Sequence, residues 1–139
     1  MNTFKDATTE EINAIMEQSW NAFETYRTFS LQQRAGFIHA IATALGSISE
    51  AVVAAAMKET HLPEARLNNE LTRTIFQLNS YADACKQGNW IEARIDTAIT
   101  ERNPPKPDLR KMLVPLGPVV VFGASNFPFA YSTAGGDTA

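Results

Sequence analysis

Cysteine is almost missing from this chain. Cys85 stands alone among 139 residues, which excludes an internal disulfide and suits a reducing compartment. Histidine is scarce as well: His39 and His61 are the only two. Neither has a second ligand at metal-binding spacing, so both read as structural or solvated groups. There is no basic excess, since the net charge is -3. Lys106, Arg110 and Lys111 make only a small group beside a proline-rich turn, a solvated loop rather than a nucleic-acid footprint. No apolar run approaches the length that spans a bilayer, and the first six residues carry no apolar leader. These absences lead us to expect a cytoplasmic protein with neither membrane nor nucleic acid as partner. Gly-x-Gly-x-x-Gly and Gly-x-x-x-x-Gly-Lys are both missing, so the ordinary dinucleotide and P-loop fingerprints do not apply. Internal repeats and low-complexity tracts are missing too.

What is present is one domain's length with 45% hydrophobic and 19% charged residues, ordinary proportions for a soluble globular chain. Thr8 with Glu11 makes a capping box, each side chain able to satisfy an orphan N–H at the other end. Behind it Ile12, Ile15, Met16, Ala22, Phe23 and Tyr26 share one helical stripe. Ser30 with Gln33 repeats the signal ahead of Phe37, Ile38, Ile41, Leu45 and Ile48. Ser47 with Glu50 is expected to open a third helix through Val52, Val53, Ala56 and Met57. Pro63 suits the first turn of a fourth helix, where its missing N–H would be unpaired anyway. That helix carries Leu67, Leu71, Ile75, Leu78 and Ala82, and Gly88 can close it as a left-handed cap. Glu10-Glu11 and Asn68-Asn69-Glu70 read as polar groups on helix faces. Cys85 reads as a buried structural thiol on the fourth helix.

Trp90 marks a change of period. Ile91, Ala93, Ile95, Thr97 and Ile99 alternate with Glu92, Arg94, Asp96 and Ala98, as in a strand with one wet face. Asn103 to Asp108 is a proline-rich turn, and Leu109 to Leu116 alternates again. The two runs read as an antiparallel hairpin, which needs a third strand or a partner surface for stability. Pro118 to Phe122 is then a short apolar run suited to a strand buried on both faces of a parallel sheet. Gly123, Ser125, Asn126 and Pro128 break it at once, placing polar groups where a strand's carboxyl end opens into a loop. Ligands bind at that edge in open α/β sheets. Residues 129–139 are low in charge, and Gly135-Gly136 would permit a close helix-to-strand approach. Only one parallel-type strand is visible, and such a strand needs neighbours and a crossover. With no stop signal before Ala139, the sequence is expected to be part of a longer protein.

Gly-Pro-Val-Val-Val-Phe-Gly-Ala-Ser-Asn-Phe-Pro-Phe, residues 117–129, resembles the aldehyde dehydrogenase segment that usually reads apolar strand, then Pro-Trp-Asn-Phe-Pro. The form Ala-Ser-Asn-Phe-Pro-Phe-Ala, followed by Ser-Thr-Ala-Gly-Gly-Asp-Thr-Ala, is most similar to the branch acting on 2,5-dioxovalerate (α-ketoglutarate semialdehyde). The resemblance implies an α/β fold, incomplete in this chain. Amphipathic helices would occupy 1–89, antiparallel strands of an oligomerisation subdomain 90–116, and the first strand, loop and helix of a parallel Rossmann-like sheet 117–139. It implies oxidation of an aldehyde to a carboxylic acid with NADP or NAD, in an enzyme that is a homo-oligomer at full length. It also implies that Asn126 donates its amide to the oxyanion formed when a cysteine thiolate attacks the aldehyde. Phe122, Gly123, Ala124 and Ser125 would line the nicotinamide-ribose end of the cofactor site. Ser125 departs from the pattern, standing where most members have tryptophan. The family's cysteine nucleophile and glutamate base lie further along the chain, so a fragment of this length is expected to be inactive alone.

Three other readings of the residues stay open here. Asparagine before an aromatic-proline pair is often only a turn residue whose side chain bonds local backbone. The chain could equally be a helical interaction module whose carboxyl tail adds a strand to a partner sheet. A small hydrolase built on Ser132 or Asp137 is the weaker rival, because Ser132 lacks the Gly-x-Ser-x-Gly frame and neither residue has a histidine near it.

Overall fold

A computed structural model describes residues 5–134. Four helices lead the chain: α1 Thr9–Tyr26, α2 Leu31–Ser47, α3 Ser49–Thr60 and α4 Glu64–Gln87. A single 3₁₀ turn, Asn89–Ile91, precedes strands β1 Arg94–Asp96 and β2 Leu109–Lys111, and a short π-helical segment, Ala130–Ala134, closes the described chain. No single helix among the described residues is long and apolar enough to cross a membrane.

The described residues up to Phe29, together with Pro115–Val120, form one compact unit. Its helix α1 is opened by the expected reciprocal cap: Thr8 N–H donates to Glu11 at 2.8 Å, and Glu11 N–H donates to Thr8 at 3.2 Å. Trp20 and Phe23 pack ring against ring at 5.4 Å. Most of the α1 stripe is nevertheless exposed, including Ile12, Ile15 and Met16.

The second unit comprises Ser30–Val114 and the described residues from Val121 onward. Its core gathers Val53 and Ala56 of α3, Leu67 and Leu71 of α4, and Phe129 from the far end of the chain. Ala42 of α2 and Leu78 of α4 make a second cluster, bridged to the first by Leu45 and Ile75. The spacing of Leu67, Leu71, Thr74, Leu78 and Ala82, all buried, is that of one helix face. The Ser30–Gln33 box also forms, with bonds of 2.9 and 3.2 Å.

Other expectations are corrected. Ser47 and Glu50 make no cap. Helix α2 runs on through Ser47, whose hydroxyl donates back to the Ala44 carbonyl at 2.7 Å, and α3 starts from Ile48 without a side-chain cap. Pro63 precedes α4 as its N-cap rather than sitting in its first turn. The hairpin pairs Arg94 with Lys111, Ile95 with Arg110 and Asp96 with Leu109, continued by an isolated bridge between Ile99 and Lys106. It is shorter than the alternation suggests, because Trp90 and Ile91 are taken up by the 3₁₀ turn. Both of its faces are exposed. Most importantly, residues 118–122 form no strand and no parallel sheet exists among the described residues. Val119 is 73% exposed and Phe122 89%. An apolar run becomes a buried strand only where neighbours accept its backbone groups, and none of the described segments does so. Gly135-Gly136 lie outside the described residues.

Two outcomes follow from this geometry. Gly88 ends α4 at φ +76°, and a Cβ there would stand 2.9 Å from a Leu31 methyl. Leu31 can swing aside but the backbone cannot, so Gly88→Ala is expected to cost about 1–2 kcal/mol, read as a lowered urea midpoint; an unchanged midpoint would refute it. In the hairpin loop, the Thr100 hydroxyl donates to Glu101 at 2.7 Å and holds that carboxyl below its ordinary pKa, helped by a backbone bond. A depressed carboxylate favours the folded state above its unfolded pKa and loses that contribution as pH falls through the folded value. Thr100→Ala should therefore move the Glu101 titration upward by NMR. No movement would show that the hydroxyl is not the cause.

Candidate functional site

The polar edge expected after Phe122 is a tight turn. Phe127 N–H donates to the Ala124 carbonyl at 3.1 Å, and Ala124 and Phe127 pair as an isolated antiparallel bridge. Ser125 and Asn126 are thus the two central residues of a four-residue turn, and both are exposed. The Asn126 side-chain amide makes no hydrogen bond among the described residues, and only the backbone of Asn126 is tied down. The local turn bond that would have explained this asparagine away is not formed. Gly123 lies against the final helical segment, where a Cβ would come within 3.1 Å of the Ser132 Cβ. The absent side chain therefore allows a helix, rather than a strand neighbour, to approach closely.

Helix α4 holds this turn from two points. The Arg66 Nη2 donates to the Asn126 carbonyl at 2.5 Å, while its guanidinium lies 4.8 Å from the centre of the Phe127 ring. Phe127 in turn packs on Tyr131 at 5.0 Å. One helical turn further along, Glu70 Oε1 accepts from the N–H groups of Phe129 and Ala130 at 2.8 and 2.9 Å. Those N–H groups open the segment Ala130–Ala134 and have no intrahelical partner of their own. A carboxylate suits them because the start of a helical segment carries partial positive charge. Glu70 is only 6% exposed, and its Oε2 has no partner among the described residues.

Glu70 was expected only as a polar group on a helix face, and that face is the buried one. Sequence reasoning missed both it and Arg66. One signal was available: Glu70 falls three residues after Leu67 and four before Thr74, which puts a charge on the apolar face of α4. A carboxylate at such a position needs donors.

The remaining candidates do not gather at the turn. Cys85 is half-buried rather than fully buried, with its Sγ 3.9 Å from the Leu31 carbonyl. His39 meets Asn79 at 2.9 Å and Asp83 at 3.6 Å, joining α2 to α4. His61 is the left-handed C-cap of α3. The Ser132 hydroxyl donates to the carbonyls of Pro128 and Phe129, which occupies it as a helix side chain. Asp137 lies outside the described residues. An open hollow of about 380 Å³ is lined by Glu50, Val53, Ala54, Met57, Glu64 and Asn68, but it presents no nucleophile or cation. No group of three or more His, Cys, Asp or Glu side chains among the described residues could hold a metal.

Comparison with known proteins gives this turn its context. Residues 1–135 match the aldehyde dehydrogenase family. An alpha-ketoglutaric semialdehyde dehydrogenase of Acinetobacter baylyi is 43% identical over 136 residues, which are 97% of this chain and 26% of that protein. Alpha-ketoglutaric semialdehyde dehydrogenase 2 of Azospirillum brasilense is 45% identical over 137 residues, 98% of this chain and 26% of its own length. The chain therefore spans about a quarter of the length of these relatives. With a family match from residue 1 to 135 and this identity along nearly all of its length, the chain belongs to the aldehyde dehydrogenase family.

Proposed function

We propose that these residues are the amino-terminal part of the cofactor-binding domain of an NAD(P)-dependent enzyme that oxidises an aldehyde to a carboxylic acid. The names of the two relatives favour 2,5-dioxovalerate, the α-ketoglutaric semialdehyde, as the aldehyde. Within this reading, residues 1–89 are the helical part and 90–116 supply the strands of the oligomerisation subdomain. Residues 117–139 bring the strand, loop and helix at the active site. The exposed run 118–122 becomes a strand of a parallel sheet when the rest of the protein supplies its neighbours. The hairpin meets another subunit of a cytoplasmic homo-oligomer.

One observation carries the assignment. The amide of Asn126 is exposed, and unpaired among the described residues, on a turn whose backbone is held. An amide donor carried on anchored backbone can stabilise an oxygen that becomes negative when a nucleophile adds to a carbonyl carbon. Asn126 therefore polarises the aldehyde and holds its oxyanion. Phe122, Gly123, Ala124 and Ser125 fit the nicotinamide-ribose end of NADP or NAD. Phe122 and Gly123 make no backbone hydrogen bond among the described residues, and the Ser125 hydroxyl is exposed beside them. When bound, that cofactor accepts the hydride. Cys85 is not the nucleophile in this reading. The nucleophile and the base come from segments outside these 139 residues.

The purified 139-residue chain is accordingly expected to form no NAD(P)H when supplied with aldehyde and NAD(P)+. Measurable aldehyde-dependent turnover would overturn that expectation. In the full-length polypeptide carrying this segment, Asn126→Ala should lower kcat by about 10²–10³-fold with KM little changed, the pattern of an interaction made in the transition state. A wild-type kcat in that variant would sink the reading.

A further inference from the structure

We propose that Glu70 and Arg66 are positioning residues for Asn126, a two-point clamp on helix α4 that holds the turn at Asn126 and the backbone leaving it at Phe129 and Ala130. This rests on the oxyanion role proposed for Asn126 and adds to it the machinery that aims the amide. Arg66 takes the Asn126 carbonyl at 2.5 Å and covers the Phe127 ring at 4.8 Å. Glu70 takes the Phe129 and Ala130 N–H groups at 2.8 and 2.9 Å. The two side chains are four residues apart on one helix, so their backbones are separated by about 6 Å along its axis. Between them they grip residues 126 to 130, and among the described residues no bond of the Asn126 side chain shares the task. The point from which the amide extends is therefore set by backbone that α4 holds.

The chemistry of each grip sets what can replace it. Glu70 uses one oxygen for both donors, and its second oxygen, though buried, receives nothing from the described residues. Glutamine keeps the acceptor that matters and gives up only the oxygen without a partner, whereas alanine leaves two buried N–H groups unpaired. At Arg66 the planar guanidinium reaches a carbonyl while lying over a ring, and a lysine ammonium does not reproduce both.

The test is a double-mutant cycle in the full-length polypeptide, with kcat and KM measured separately. Glu70→Ala is expected to lower kcat by about 10–100-fold, the scale of a misplaced catalytic group, with KM moved far less, and Glu70→Gln should recover most of that loss. Arg66→Ala, a change at an exposed residue that threatens folding least, should lower kcat several-fold with the same split. Placed on Asn126→Ala, each should cost almost nothing more, because the group they aim is gone. In the 139-residue chain itself, the amides of Phe129 and Ala130 should exchange slowly in wild type and Glu70→Gln and quickly in Glu70→Ala.

Full, undiminished penalties of Glu70→Ala and Arg66→Ala on the Asn126→Ala background would overturn the positioning role. A wild-type kcat in both single variants, with Asn126→Ala still crippled, would overturn it too and leave the oxyanion reading standing. An active Asn126→Ala enzyme would defeat the oxyanion reading instead, with the amide exchange still reporting whether the grip exists. Should Glu70→Ala fail to fold, Arg66→Ala and Glu70→Gln decide the matter by the same cycle.

Discussion

The described end of the chain is held by one buried carboxylate. Glu70 gives one oxygen to two backbone N–H groups nearly sixty residues away, and it does so inside the protein, at 6% exposure. Burial of a carboxylate costs several kcal/mol in real proteins. Two charge-assisted hydrogen bonds return about 1.5–3 kcal/mol each, so the arrangement roughly balances with the second oxygen left over. What tips it is the neighbouring residue. Phe129, whose N–H is one of the two donors, buries its ring among Val53, Ala56, Leu67 and Leu71, and burial of such a side chain contributes about 1.5–3 kcal/mol. Charge and ring hold the same residue from opposite ends, one through its backbone and one through its side chain.

Helix α4 is consequently more than a packing element. Its apolar face carries the core, with Leu67, Leu71, Thr74 and Leu78 buried in succession. Near its amino-terminal end, exposed Arg66 reaches the turn and buried Glu70 reaches the segment that follows it. The Thr74 hydroxyl donates to the Glu70 carbonyl at 2.9 Å, so even the polar member of the buried face stays satisfied within the helix. Sites supported by a packed helix are held more narrowly than sites carried by loops alone. Asn126 sits on a turn by secondary structure, yet its backbone is tied to a rigid element.

How much of this was legible depended on range. The caps at Thr8 and Ser30 could be read because both partners lie within three residues. Gly88 could be read because a left-handed residue after a long apolar stripe has one economical solution. Ser47 shows the limit of the same rule. Its spacing to Glu50 matches a capping box, but Ser47 is itself the last residue of α2, and its hydroxyl bonds backward to Ala44. The valine run of 118–122 was read from chemistry that is real, since it is apolar and β-branched, but a strand is a property of its neighbours as well as its residues. Glu70 lay at the far end of legibility. Nothing within ten residues of it announces Phe129, and only its place on the apolar face of α4 marks it as a charge that must find donors elsewhere. The family motif around Asn126 pointed to the turn and said nothing of what holds it.

That contrast separates two dependencies that the sequence pattern had merged. Read alone, residues 117–130 look like one unit in which a buried strand delivers a catalytic turn. In the structure the two halves have different supports. Val119, Val120 and Phe122 are exposed and unpaired among the described residues, whereas Asn126 through Ala130 are held by Arg66 and Glu70. The turn thus keeps its backbone contacts without a sheet beneath it. Those contacts need only α4 and the last described segment, all within one compact unit. On the function proposed above, the oxyanion donor would be set by a helix and the cofactor edge by a sheet. A change in one then moves the other only through the few residues, Gly123 to Ser125, that join them.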